Sequence, residues 1–180
     1  MKVVNLLNMA CRPRKAPPTT VVLHATAGQS AESSISWLKK IGLSYHVIIG
    51  DGQKQDDGVV FKGVPISKVA FHAGKSVGPN GANVNEYSVG VSFACMDDGK
   101  DVITEKQWLS AIDYVAQQVI ANPSIKWVTT HAIIAPKRKV DPRGPVHGIK
   151  WDNTFPLGWF VLLVNEAIKH SGRRVEAWYS

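Results

Sequence analysis

Ser88-Val89-Gly90-Val91-Ser92-Phe93-Ala94 reads as a central β-strand: valine and phenylalanine alternate with small residues, and Gly90 has no side chain at all. Further strand candidates lie on both sides of it, at Val3–Leu7, Thr20–His24, Tyr45–Ile49, Val59–Val64 and Ile125–Thr130. Helical patterns fall between and after them. Ser30 precedes one in which Ile35, Leu38 and Ile41 share a face, and Gly42 is its natural stop. Thr104 is a suitable N-cap for a second, in which Trp108, Ile112, Val115 and Val119 recur at helical intervals before Asn122-Pro123. A third runs from about Leu157 to His170 and ends near Ser171-Gly172. Helices interleaved with strongly apolar strands predict an α/β fold, a central mixed β-sheet flanked by helices on both faces. The Gly- and Pro-bearing stretch from Phe71 to Asn85 reads as a long loop, and such loops in compact domains are often functional.

With 180 residues, the chain is of a size for one domain. The longest apolar run, Trp159–Val164, is far too short to span a bilayer. The apolar start is broken by Asn5 and Asn8 and followed by Arg12, Arg14 and Lys15, which reads as a strand and loop rather than an export signal and predicts a cytoplasmic location in the producing cell. Cys11 and Cys95 are then expected as free thiols. A net charge of +7 points to an anionic partner. The basic residues are dispersed and no nucleic-acid motif accompanies them, so nucleic acid is not expected; a cell-wall polymer or an anionic envelope surface is.

The chemistry concentrates in His131-Ala132-Ile133-Ile134-Ala135-Pro136-Lys137-Arg138-Lys139-Val140-Asp141-Pro142, directly after an apolar strand. His24 ends another strand. Two strand-end histidines and a loop aspartate are suitable ligands for one zinc ion, which in a catalytic site takes three protein ligands and keeps one position open. Spacing alone leaves a second reading standing, in which the histidines are hydrogen-bonded structural residues and Lys137–Lys139 a solvated basic loop.

Five segments, in order along the chain, resemble those of zinc-dependent N-acetylmuramoyl-L-alanine amidases, a family that includes peptidoglycan-recognition proteins, cytosolic muropeptide-recycling amidases and single-domain phage endolysins. They are Val22-Leu23-His24-Ala25-Thr26-Ala27, Tyr45-His46-Val47-Ile48-Ile49 with Asp51-Gly52, Ala70-Phe71-His72-Ala73-Gly74, Asn85-Glu86-Tyr87-Ser88-Val89-Gly90-Val91, and the His131–Pro142 run. The resemblance spans about Val21 to Trp151.

It implies one zinc per chain held by His24, His131 and Asp141, with Lys139 stabilising the oxyanion formed during amide hydrolysis. Tyr45 is expected to orient the water or the oxyanion, and His46, on the opposite side of a regular strand, to be structural. His72, Asn85 and Trp151 are expected to contact the substrate, with His147 near the same cleft. Ser92 stands where the recycling enzymes carry a glutamate, and Pro142-Arg143-Gly144-Pro145 departs from the tighter turn of the relatives. Ser92 and Tyr45 favour a phage-type endolysin that cleaves peptidoglycan between N-acetylmuramic acid and L-alanine. The alternatives are a recycling amidase acting on soluble muropeptides and a non-catalytic peptidoglycan-binding module. The whole chain is expected to be one catalytic domain, with its core at about 20–170 and no separate wall-binding domain.

Overall fold

The computed structural model describes residues 1–143, 146–147 and 155–180. In chain order the elements are β1 (Val3–Asn5), β2 (Cys11–Pro13), β3 (Thr20–Ala25), α1 (Ala31–Ile41), β4 (Val47–Ile49), β5 (Val60–Lys62), β6 (Lys68–Ala70), β7 (Val77–Gly78) and β8 (Gly81–Ala82). They continue with β9 (Ser88–Phe93), α2 (Glu105–Ala121), β10 (Trp127–Thr130), α3 (His131–Ile134), α4 (Leu157–Ala167) and β11 (Glu176–Ala177). Seven strands form one mixed sheet in the order β1-β5-β4-β9-β3-β10-β11. Within it β4 and β5 run antiparallel, while β9, β3 and β10 at its centre are parallel. The predicted central strand is therefore the middle strand of the sheet.

Alternation along β9 decides which face does what. Val89, Val91 and Phe93 enter the main core with Trp108 and Val115 of α2 and Phe160 and Val164 of α4. Ser88, Gly90 and Ser92 point the other way and leave a floor of small side chains. On that second face α1 packs Ala31 and Ile35 against Tyr45 and Ile48. Helices thus cover both faces, as expected from the sequence. Among the described residues no helix is long and apolar enough to cross a membrane.

The predicted starts of the first two helices are present as capping boxes, whereas the third helix ends at Ala167, short of the expected His170. Ser30 and Ser33 exchange bonds at the start of α1, Thr104 and Gln107 at the start of α2, and Gly42 closes α1 in the left-handed region at φ 71°. The buried amide of Gln107 also donates to the carbonyls of Ile49 and Ala94, fastening α2 to the ends of β4 and β9.

Several elements differ from expectation. The strand predicted at Tyr45–Ile49 is regular only from Val47: the chain bends at His46, although its backbone still donates to Gly90 O of β9 and accepts from Gly63 N beside β5. Arg12 lies in the short β2, paired antiparallel with β6, where a loop was expected. The stretch after β10 begins with the one-turn helix α3 rather than a loop, capped by the Thr130 hydroxyl, which accepts from Ile133 N. The tail from Arg173 carries β11, which pairs with β10. Both outermost strands of the main sheet, β1 and β11, therefore come from outside residues 20–170.

His46 is fully buried and bridges strands: its Nδ1 accepts from Gly90 N at 3.0 Å, and its Nε2 lies 3.1 Å from Lys68 O. Since Nδ1 accepts, Nε2 carries the proton and donates to that carbonyl. Burial, aided by the nearby Arg14 guanidinium, lowers its pKa to about 3. The unfolded chain, at an ordinary histidine pKa near 6.5, takes up the proton first. This residue's contribution is therefore complete above about pH 6.5 and is lost as pH falls toward 3, by up to about 1.4 kcal/mol per pH unit. Urea unfolding at pH 7, 6 and 5 with chelator present is expected to give falling stability, with a slope lower by close to one proton in His46→Asn. An unchanged slope in that variant would show that His46 is not the group responsible.

Candidate metal centre

β3 and β10 are neighbours in parallel register, with Leu23 opposite Thr130. His24 and His131 follow these two residues, so they emerge at the same end of the sheet. Their ring centroids are 4.5 Å apart. Asp141 returns to them because Ala132 N donates to its backbone carbonyl at 2.8 Å. Its carboxylate lies 3.1 Å from His131 Nδ1 and 3.4 Å from His24 Nδ1. One potential ligand atom from each of the three residues falls within a 4.8 Å group, and all three residues are buried.

The electrostatics suit a cation. Burial would raise the Asp141 pKa, but the imidazoles of His131 and His24 outweigh it and hold the carboxyl well below the usual carboxylate range. Burial, with His131 adding to it, lowers His24 to about 4, so the ring is neutral at pH 7. His24 Nδ1 is buried and has no hydrogen-bond partner, which is costly unless something else binds it. Two imidazoles and one carboxylate, with an unsatisfied nitrogen aimed among them, fit a divalent zinc ion.

The outward nitrogens of both rings are engaged. His24 Nε2 lies 2.9 Å from His72 Nδ1, and His131 Nε2 lies 3.2 Å from Ala73 O. His72 is buried, and its other nitrogen is 3.2 Å from Ser88 Oγ. Both of its nitrogens thus have partners inside the protein, a placement different from that of a side chain free to bind substrate. Its ring lies over Gly90, where a Cβ would come within 2.6 Å of His72 Cγ, and this explains the glycine in the central strand. Asn85 Oδ1 accepts from the backbone N–H groups of His72 and Ala73, at 3.1 and 2.8 Å. From the sequence, His72 and Asn85 are expected as substrate contacts. The one local signal for a supporting role was the absent side chain at Gly90.

Tyr45 packs beside His24, with ring centroids 5.0 Å apart, and burial, reinforced by the Asp141 charge, pushes its phenol well above the usual range. The group remains a hydrogen-bond donor. Lys139 follows a turn in which Arg138 N and Lys139 N both donate to Ala135 O. It lines a cavity of about 280 Å³ together with Tyr45, His72, Asn85, Arg138 and His131. Lys137 is exposed on that turn and does not line this cavity. Arg143, the departure from the relatives' turn, donates from its backbone N to Asp97 Oδ1 and from its guanidinium to Asp97 O. His147 is exposed, with its backbone N bonded to Ile103 O. Trp151 lies outside the described residues.

Comparison with known proteins identifies the family. Residues 14–144 match the N-acetylmuramoyl-L-alanine amidase family. The chain is 27% identical over 152 residues to the 1,6-anhydro-N-acetylmuramyl-L-alanine amidase of Enterobacter cloacae, covering 75% of this chain and 79% of that protein. Solved structures share the fold. The Escherichia coli amidase AmiD, crystallised with an anhydro-N-acetylmuramic acid peptide, aligns with a TM-score of 0.65 at 23% identity, over 82% of this chain and 58% of AmiD. The amidase LysC of Clostridium intestinale aligns with a TM-score of 0.65 at 21% identity, over 92% of this chain and 98% of LysC. The chain belongs to the N-acetylmuramoyl-L-alanine amidase family and is an enzyme of that activity.

Proposed function

We propose that this amidase uses one zinc ion, held by His24, His131 and Asp141, to release L-alanine-terminated peptides from soluble 1,6-anhydro-muropeptides. The observation that carries the metal reading is the convergence of the three buried ligand atoms, with His24 Nδ1 unpaired among them. When bound, zinc supplies Lewis acidity toward the carbonyl and lowers the pKa of water. Lys139 on the cavity wall brings a fixed positive charge to the developing oxyanion. Tyr45, kept protonated by burial, donates a hydrogen bond to the reacting groups and does not act as a base. Asn85 and Trp151 remain candidate substrate contacts.

The choice of substrate rests on the enterobacterial relatives, which are named as 1,6-anhydro-N-acetylmuramyl-L-alanine amidases and align over three quarters of this chain. This reverses the order of the two readings drawn from the motifs. A wall-degrading endolysin is the second reading, and Ser92 favours it. Ser92 lies directly opposite His24 in the sheet, at the position where the recycling enzymes carry a glutamate.

The test is to incubate the purified protein with soluble anhydro-muropeptides and, separately, with intact sacculi, each with and without chelator. Rapid chelator-sensitive release of peptide from the soluble substrate, with sacculi cleaved slowly or not at all, is the expected result. Preferential cleavage of sacculi would favour the endolysin, and activity unaffected by chelator would sink the zinc assignment.

A further inference from the structure

We propose that the His72–Ala73 segment sets the tautomers of both metal-binding imidazoles, making His72 a positioning residue rather than a substrate contact; this rests on the reading of His24, His131 and Asp141 as zinc ligands. The proton positions follow from the acceptors at the two ends. Val84 O can only accept, so the Ser88 hydroxyl, 2.6 Å away, donates its single proton there. Ser88 Oγ then accepts from His72 Nε2. That leaves the lone pair of His72 on Nδ1, where it accepts from His24 Nε2 at 2.9 Å. The proton of His24 is thereby fixed on the outer nitrogen, and Nδ1 presents its lone pair toward Asp141.

The second imidazole is set by the next residue. Ala73 O can only accept, so it takes a proton from His131 Nε2, and Nδ1, 3.1 Å from the Asp141 carboxylate, is the nitrogen left to give its lone pair to a bound ion. Two adjacent residues of one loop therefore orient two ligands, one on β3 and one at the start of α3. The loop is itself held. Asn85 Oδ1 takes the N–H groups of both His72 and Ala73, and Arg138 Nη2 donates to the carbonyls of Ala73 and Lys75, each at 2.9 Å. Outer partners of this kind are worth roughly 10- to 100-fold in metal affinity.

Zinc affinity of the wild type, His72→Phe and His72→Asn is measured by competition with a chromophoric chelator, with folding checked by urea unfolding in excess zinc. His72→Phe keeps the ring's bulk but removes both nitrogens, and is expected to bind zinc ~10- to 100-fold more weakly. His72→Asn, whose Oδ1 can replace Nδ1 as acceptor, is expected to recover most of the loss. In parallel, nitrogen–proton NMR of the wild-type histidine side chains is expected to show His72 as the Nε2–H tautomer with and without metal. This measurement stands even if a variant does not fold. A wild type that binds no zinc overturns the metal reading and this inference with it. Zinc binding by the wild type that His72→Phe matches, or an Nδ1–H tautomer at His72, overturns this inference alone.

Discussion

Asp141→Ala is expected to lower bound zinc from one per chain to nearly none, with hydrolysis falling below detection. Asp141 carries the only negative charge in the ligand group, and its carboxylate lies 3.1 Å from His131 Nδ1 and 3.4 Å from His24 Nδ1. Without it, two imidazoles remain, which bring no negative charge, and a divalent cation entering the buried site would keep its full charge unneutralised. The loss should exceed the roughly 10- to 100-fold cost of removing an outer partner. Metal analysis after dialysis against dilute chelator, with circular dichroism to verify the fold, measures it. Retention of a full equivalent of zinc by Asp141→Ala would remove this residue from the ligand set.

Lys139→Ala is expected to keep its zinc and lose about 100- to 1000-fold in turnover, the usual cost of removing an oxyanion stabiliser. The side chain lines the same cavity as Tyr45 and His131 and forms no part of the ligand group. The effect should therefore fall on turnover more than on KM. Lys137→Ala is the control: it removes an equal charge two residues away, from the exposed turn, and should leave turnover within a few-fold of wild type. A crippled Lys137→Ala beside a normal Lys139→Ala would reverse the assignment of the loop.

What could be read from the chain is what short stretches determine by themselves. Val89, Val91 and Phe93 mark a strand by composition, and Ser30, Gly42 and Thr104 mark helix ends by their own hydrogen-bonding and backbone preferences. The three proposed ligands were visible because strand-end histidines are conspicuous. The elements that escaped notice depend on partners distant in sequence. The pairs β2–β6 and β10–β11 are two or three residues long and carry no alternation of their own. The contact of His72 with His24 spans 48 residues and needs the bare backbone of Gly90 beneath the ring. A histidine in a glycine-rich loop looks like a cleft residue until its two nitrogens are traced.

The parallel register of β3 and β10 has a thermodynamic consequence. The interstrand ladder that places Leu23 opposite Thr130 is also the gauge that sets the separation of the two imidazoles, since adjacent strands lie about 4.8 Å apart. A slip of one residue would turn one histidine to the opposite face and abolish the pair. Neither spacing nor facing exists in the unfolded chain, where His24 and His131 are far apart along the sequence. An ion that binds this pair therefore binds the assembled sheet in preference to the open chain, and free zinc and folding are linked: each tenfold rise in ion concentration above its dissociation constant adds about 1.4 kcal/mol to the folded state. The melting temperature thus becomes a titration of the site, readable without any substrate.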